Sequence, residues 1–468
     1  MKVKFYISNI FFLFFIFGSL FSQENQEILV SKIEIEGNNR TKTEIVLREI
    51  EFVAGDTILL TVFEDRLERS KENLTNTSLF NFVSIDYNLI SESEVFVFVK
   101  LVERWYILPF GAYSLMEGDL NTWWQEKNMN HIAIHGHLLD FNFKGRREQV
   151  LGRFSLGYDR SLGLTYYVPY INENKTLGLM LDGRFSWQKV LASHTQDYKY
   201  QYLKNDNNFL LKSGYLSASL VYRPAFRMTE QFSVSYYNLY FSDTLLANNP
   251  AFSRQKNMQY INLFSKFKVD YRDDKSYPLN GFYFDFMASY SGLKLLKDEV
   301  FLGAYLQTNF RFYKPLTENF YWASGINLST SKYQNYVSYL GQEIGSSGNE
   351  IRGFELYRIP ATHFAVLKNN LKWNFLPKVN FKLPFIKYEK ISLIHFAAYL
   401  NLFADIATYQ NDYRRSFFSS ENISPKYIYS LGAGLDMVSY YDIVFRMEAS
   451  KNFLFNQWGF FVHLKSSI

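Results

Sequence analysis

Three groups of residues in this 468-residue chain have types and spacings that could do chemistry. His131, His135 and His137 are odd-numbered, while the apolar residues among them, Ile132, Ile134 and Leu138, are even-numbered. In an extended strand that parity puts three imidazoles on one face, as a divalent metal would require. No acidic partner stands at a fixed offset, so the trio reads as polar side chains on a wet strand face, with no metal and no cofactor expected. Asp270, Asp273 and Asp274 in KVDYRDDKSYPLNG could supply a general acid/base pair. They run into a turn marked by Pro278 and Gly281, which makes turn stabilisation their expected role. The third group is Glu350, Ile351, Arg352, Gly353 and Phe354 within SSGNEIRGFELYRIPA, small and polar enough to be an exposed loop. An arginine that leaves the surface there needs a carboxylate and further acceptors. Neither a G-x-S-x-G nucleophile elbow nor a P-loop occurs, so no enzyme activity is expected.

The elements that hold these residues are announced by composition. Aromatic residues make up 19% of the chain, with 46 Phe and 36 Tyr, yet the mean hydropathy is only −0.18. Aromatics interleaved with Ser, Asn, Lys and Asp suit a surface that meets lipid on one side and water on the other. A formal charge of +5 on so long a chain does not argue for nucleic acid, and the absence of cysteine excludes disulfides and thiolate metal sites. The N-terminus has Lys2 and Lys4, then an apolar run over Ile10–Leu20, then Ser22 and Gln23. This predicts a signal peptide over residues 1–23. No later run approaches the ~18 apolar residues of a helical span, so further membrane residence must be by β-barrel.

Residues 28–103 predict a small α+β domain. Ile33 and Ile35 alternate with charged residues as a half-buried strand. Thr41 with Glu44, and Thr61 with Glu64, read as capping boxes for two helices, the second with Phe63, Leu67, Ser70 and Leu74 on one face. Val83, Ile85 and Tyr87 alternate again, and VFVFVKLV (Val95–Val102) reads as a central strand. The order is β-α-α-β-β.

From Trp105 to Ile468 the period is two. Phe282, Phe284, Phe286 and Ala288 alternate with Tyr283, Asp285 and Ser289, and Phe445, Met447 and Ala449 alternate with Arg446, Glu448 and Ser450. One apolar and one wet face over about sixteen strands predicts an all-β transmembrane barrel of antiparallel strands over residues 105–468. Residues 193–207 are read as loop. Connections alternate between long (116–130, 190–207, 243–257, 331–362, 409–427) and short (144–148, 223–228, 313–318, 438–441), as outer and inner barrel ends require. The stretch 376–390 is long where the pattern asks for a short turn.

The small domain, with Gly37 and Asn38 after its first strand, Gly55 before its second helix and SLFNFVSI leading into its next strand, resembles a POTRA repeat of the Omp85 superfamily. Ile351-Arg352-Gly353-Phe354 resembles the motif of that family's sixth outer loop, which folds into the lumen. The resemblance implies that Arg352 docks on an acidic wall residue in a motif matched here by Phe403-Ala404-Asp405, with Ala407 where the family has Gly. Alternation independently puts Asp405 on the face opposite Leu402 and Ala404. Asp270, Arg272, Asp273, Pro278 and Gly281 match a family turn pattern, and Gln457, Gly459, Val462 and Leu464 resemble its last-strand assembly signal. Lys372 stands where the family often has an acid. The resemblance implies an outer-membrane protein of a diderm bacterium with the POTRA domain in the periplasm. It implies assembly of β-barrel proteins, passage of a dedicated secreted polypeptide, or an accessory role in an assembly complex. The implied partners are outer-membrane lipid, unfolded barrel or secreted clients, and periplasmic chaperones or other assembly subunits.

Overall fold

In the computed structural model the described residues are 26–463, except 116–131, 197, 250–252, 254, 298, 300–301, 334–342, 345–350, 356, 358, 383–392, 412–426 and 440–442. The expected signal peptide, His131, Glu350 and Leu464 lie outside the described residues.

The N-terminal domain runs β1 (Glu27–Glu36), α1 (Thr43–Leu47), β2 (Thr57–Leu59), α2 (Leu60–Thr75), β3 (Phe80–Ser91) and β4 (Glu94–Glu103). Its sheet has the order β2-β1-β4-β3, with β4 parallel to β1 and antiparallel to β3. Alternate residues of β4 (Val95, Val97, Val99, Leu101) pack under Ile45, Val46, Phe63 and Leu74 of the helices. The order is β-α-β-α-β-β, one strand more than the periodicity predicts. The extra β2 has three residues, too few to show a period, and is held as an edge by pairing with β1. Both capping boxes are corrected. Lys42 and Leu59 occupy the cap positions without a side-chain cap bond. Thr41 is buried, and its hydroxyl bonds the Tyr106 hydroxyl at 2.8 Å instead.

The rest forms β5 (Ile107–Leu115), β6 (Ile132–Phe143), β7 (Glu148–Gly157), β8 (Asp159–Val168), β9 (Leu177–Gln188), β10 (Val190–Gln196), β11 (Lys199–Lys204), β12 (Leu211–Ala225) and β13 (Met228–Phe241). After the short helix α3 (Asp243–Asn248) come β14 (Asn257–Asp270), β15 (Gly281–Ser291), β16 (Gly303–Pro315), β17 (Phe320–Tyr333), β18 (Glu343–Ile344) and β19 (Ile359–Pro360). The chain closes with β20 (His363–Lys382), β21 (Leu393–Gln410), β22 (Ile428–Ser439), β23 (Val444–Asn452) and β24 (Gln457–His463). Sixteen of these make one antiparallel sheet in chain order from β5 to β24. β10 and β11 form a separate hairpin where a plain loop was expected, and β18 pairs with β19.

Burial is inverted relative to a water-soluble protein. On β21, Leu400, Leu402 and Ile406 are exposed, while Asn401, Phe403 and Asp405 are buried. On β23, Arg446, Glu448 and Ser450 are buried, and on β24, Trp458, Phe460 and Val462 face outward. An apolar outside around a polar inside is the solution that lipid imposes on strands. The described part of the long 376–390 stretch, residues 376–382, remains strand. β20 and β21 continue past the neighbouring strands as a hairpin whose pairing slips twice, between Asn374 and Leu376 and between Leu376 and Val379. Among the described residues no ladder joins β5 to β24.

Candidate functional site: the loop inside the barrel and the clasp beneath it

The loop between β17 and β20 enters the barrel and brings its own small core. Ile344, Ile351, Phe354, Tyr357 and Ile359 pack with Phe364 and Ile428 of the wall. Tyr357 stacks on Phe455 with ring centroids 4.1 Å apart, and its hydroxyl donates to Gln457 Oε1 at the start of β24. Gly353 has φ +85°, a left-handed conformation that costs a side-chain-bearing residue energy. A Cβ there would meet Ser450 Oγ at 3.1 Å. Its carbonyl accepts from Asn452 Nδ2 at 3.1 Å.

This turn delivers Arg352 to the wall with 1% of its surface exposed. Its Nε donates to Asp405 Oδ2 at 2.9 Å, and Nη2 donates to Asp405 Oδ1 at 2.5 Å. The Arg352 backbone N–H also donates to Asp405, at 3.1 Å. Nη1 donates to Asn370 Oδ1 at 2.6 Å and Nη2 to the Asn369 carbonyl at 3.2 Å, while the guanidinium lies 4.0 Å over the Phe403 ring. A buried ion pair must overcome desolvation. Here a planar fork meets a carboxylate bidentately, and Asn370 and Asn369 take two further donors.

The DYRDDKSYPLNG residues build the turn between β14 and β15. Arg272 donates twice to Asp270, at 2.7 and 2.9 Å, and Asp273 accepts from the N–H groups of Asp274 and Leu279. Gly281 has φ +99°, with the Tyr271 carbonyl 1.9 Å from where a Cβ would sit. Pro278 lies opposite Lys372, which is buried with its Nζ 3.5 Å from the Pro278 carbonyl and 4.1 Å from the Tyr277 ring centroid. Lys372 therefore serves this turn rather than the Arg352 contact. The Tyr277 hydroxyl donates to Asp436 Oδ2 at 2.8 Å, and Asp436 is held in turn by Arg446 at 2.5 and 2.7 Å. This contact between the β14–β15 turn and β22 spans the interior. Of the last-strand residues, Gln457 meets Tyr357, Gly459 lies opposite Ser450, and Val462 points outward. His135 bonds Ser114 Oγ at 2.9 Å and His137 is exposed, and among the described residues neither belongs to a cluster of three possible metal ligands.

The sequence reading missed a second constellation, where the N-terminal domain meets the barrel's short turns. Glu49, buried just after α1, accepts from Arg223 Nη1 and Nη2, both at 2.7 Å, and from Arg147 Nη1 at 3.0 Å. Burial alone would raise the Glu49 carboxyl, but Arg223, Arg147 and Arg48 outweigh it and hold it at about 2. Arg48 stacks 3.9 Å over Tyr170, Arg227 pairs with Glu72 at 2.6 Å, and Lys275 Nζ donates to the Asn76 carbonyl at 2.9 Å. Asn142 Nδ2 donates to Thr41 Oγ1 at 2.9 Å. Glu49, Arg48, Arg147 and Arg223 of the clasp line a cavity of about 500 Å³ together with Arg227 and Lys268. No spacing rule links a glutamate in LREIE to arginines ninety-eight and one hundred and seventy-four residues away.

Comparison with known proteins places this geometry. Residues 142–439 match the Omp85 superfamily domain, and residues 28–104 match the surface antigen variable number repeat, the POTRA family. A segment of 140 residues is 27% identical to the outer membrane protein assembly factor BamA of Nitratidesulfovibrio vulgaris. That match covers 28% of this chain and 17% of the relative. Among solved structures, BamA from Haemophilus ducreyi lacking POTRA domains 1–3 superposes with a TM-score of 0.50 at 14% identity, covering 91% of this chain and 81% of that one. CdiB from Escherichia coli superposes with a TM-score of 0.51 at 14% identity, covering 93% and 75%. At that identity the likeness is one of fold.

Proposed function

Because the chain belongs to the Omp85 superfamily, we propose that it assembles other β-barrel proteins into the outer membrane. It is an outer-membrane β-barrel with its POTRA domain in the periplasm. The observation that carries the proposal is the seam. β5 and β24 end the sixteen-stranded sheet, and no ladder joins them among the described residues. Unpaired strand edges in lipid are costly, and a client strand that pairs with one removes that cost. A second edge lies below. β3, twelve residues long, is the outer strand of the POTRA sheet, and an extended client could add to it before reaching the barrel.

A second reading is passage of a dedicated secreted polypeptide, favoured by the fold likeness to CdiB. That reading requires the Arg352 loop and the Tyr277 turn to leave the interior. A third, an accessory role in an assembly complex, requires no movement. Depleting the protein and measuring the outer-membrane proteome separates them. Loss of many barrel proteins is the outcome expected here. Loss of one exported substrate would replace it with the secretion reading, and defects seen only when a partner complex is compromised would replace it with the accessory one.

A further inference from the structure

Glu355 follows the Arg352 turn directly, Glu448 lies on β23 and His463 ends the described part of β24. Their ligand atoms come together inside the barrel, all within 4.8 Å of one another. His463 Nε2 is 3.3 Å from Glu448 Oε1 and 3.9 Å from Glu355 Oε1. Ligand atoms held about 2.1 Å from a zinc ion at tetrahedral angles stand roughly 3.4 Å apart, so the cluster already has nearly that spacing. Glu448 is 1% exposed, and neither of its carboxylate oxygens accepts a hydrogen bond among the described residues. A buried carboxylate in that state is expensive unless a cation takes it, and the one described group near enough, His463, is charged only when protonated. Arg446 approaches only to 3.9 Å and is committed to both oxygens of Asp436, while Arg352 is committed to Asp405.

We propose that Glu355, Glu448 and His463 bind one divalent transition-metal cation that ties the lumenal loop to the last two strands of the barrel. Two carboxylates match the charge of such an ion, and the imidazole favours zinc or its neighbours over calcium, which takes six to eight oxygens. The sequence expectation of no metal rested on His131, His135 and His137. The cluster is built instead from a loop, a strand and the chain's last histidine, residues that no spacing motif unites. The site needs no assumption about clients. Its consequence is mechanical, because an ion here couples the position of the Arg352 loop to the strand that borders the seam.

The test is calorimetric titration of ZnCl₂ into the full chain, stripped with chelator in detergent micelles. Saturable one-to-one binding is expected. Glu448→Gln and His463→Asn should each weaken it by at least tenfold, and His137→Asn, at an exposed imidazole, should leave it unchanged. Glu355→Gln sits in the loop, so its loss of affinity can be read in a folded barrel even where a strand variant fails to fold. Zinc X-ray absorption of the loaded protein should report mixed nitrogen and oxygen ligation. Absence of one-to-one binding, or unchanged binding in Glu355→Gln and Glu448→Gln, overturns the proposal.

Discussion

Arg352 and Asp405 form a pair whose geometry accounts for both residues. Each of the three guanidinium nitrogens donates to an acceptor, so removing either partner leaves the other buried without its counter-charge. Arg352→Met is expected to destabilise the folded barrel by about 3–5 kcal/mol, and Arg352→Met with Asp405→Leu to cost less than the two single changes added together. Denaturant titration of the four variants, followed by the heat-modifiable gel shift of folded barrel, gives the coupling; strict additivity would reject an interacting pair. Gly353→Ala is argued from backbone alone. A positive φ and a contact at 3.1 Å with Ser450 Oγ predict a loss of about 1–2 kcal/mol in the same assay. Glu49 makes a pH prediction. Its folded value of about 2 lies below the ordinary 4.5, so its stabilisation is complete above about 4.5 and is lost as pH falls toward 2. The contribution is on the order of 3 kcal/mol. Acidification through that window should loosen the docked POTRA domain, read as increased hydrogen exchange over residues 43–50, and Glu49→Gln should abolish the pH dependence.

At the scale of elements, the sequence was legible wherever a face was repeated. Leu400, Leu402 and Ile406 against Asn401, Phe403 and Asp405 is a period of two sustained by lipid on one side and polar contacts on the other, and the strands follow it. Asp405 could be placed on the inner face from parity alone. Legibility failed where a contact joins distant elements. Thr41 looked like a helix cap because its neighbours fit the pattern, but the Tyr106 and Asn142 side chains use its hydroxyl. β2 was invisible because a three-residue edge has no period. Residues 376–382 look like part of a long connection because bulges break alternation while pairing continues. The clasp around Glu49 left no local mark, since Arg147 sits in a turn and Arg223 near the end of β12, where a charged side chain already looks solvated. That clasp is an element-scale device. Arg223→Ala with Arg147→Ala should free the POTRA domain from the short turns while leaving both folds intact. Distances between spin labels on α2 and on the β12–β13 turn should broaden and lengthen, whereas an unchanged narrow distribution would show that other contacts hold the domain.

At the scale of the whole molecule, the loop core, the Tyr277 turn and the clasp brace the barrel from the inside and from below. The seam between β5 and β24 is bordered by strands that no described ladder joins. Under the proposed function the seam is the part that moves, and the Tyr357–Gln457 contact links the inward loop to the last strand. A chain without cysteine gives a clean background for testing this. The measurement is assembly of newly made outer-membrane barrels in cells whose only copy carries a disulfide between one cysteine within residues 107–114 and one within 457–463. Assembly is expected to stop while the bond is closed and to recover when a reductant opens it, with either single cysteine behaving as wild type. Undiminished assembly through a fully closed seam would contradict this expectation.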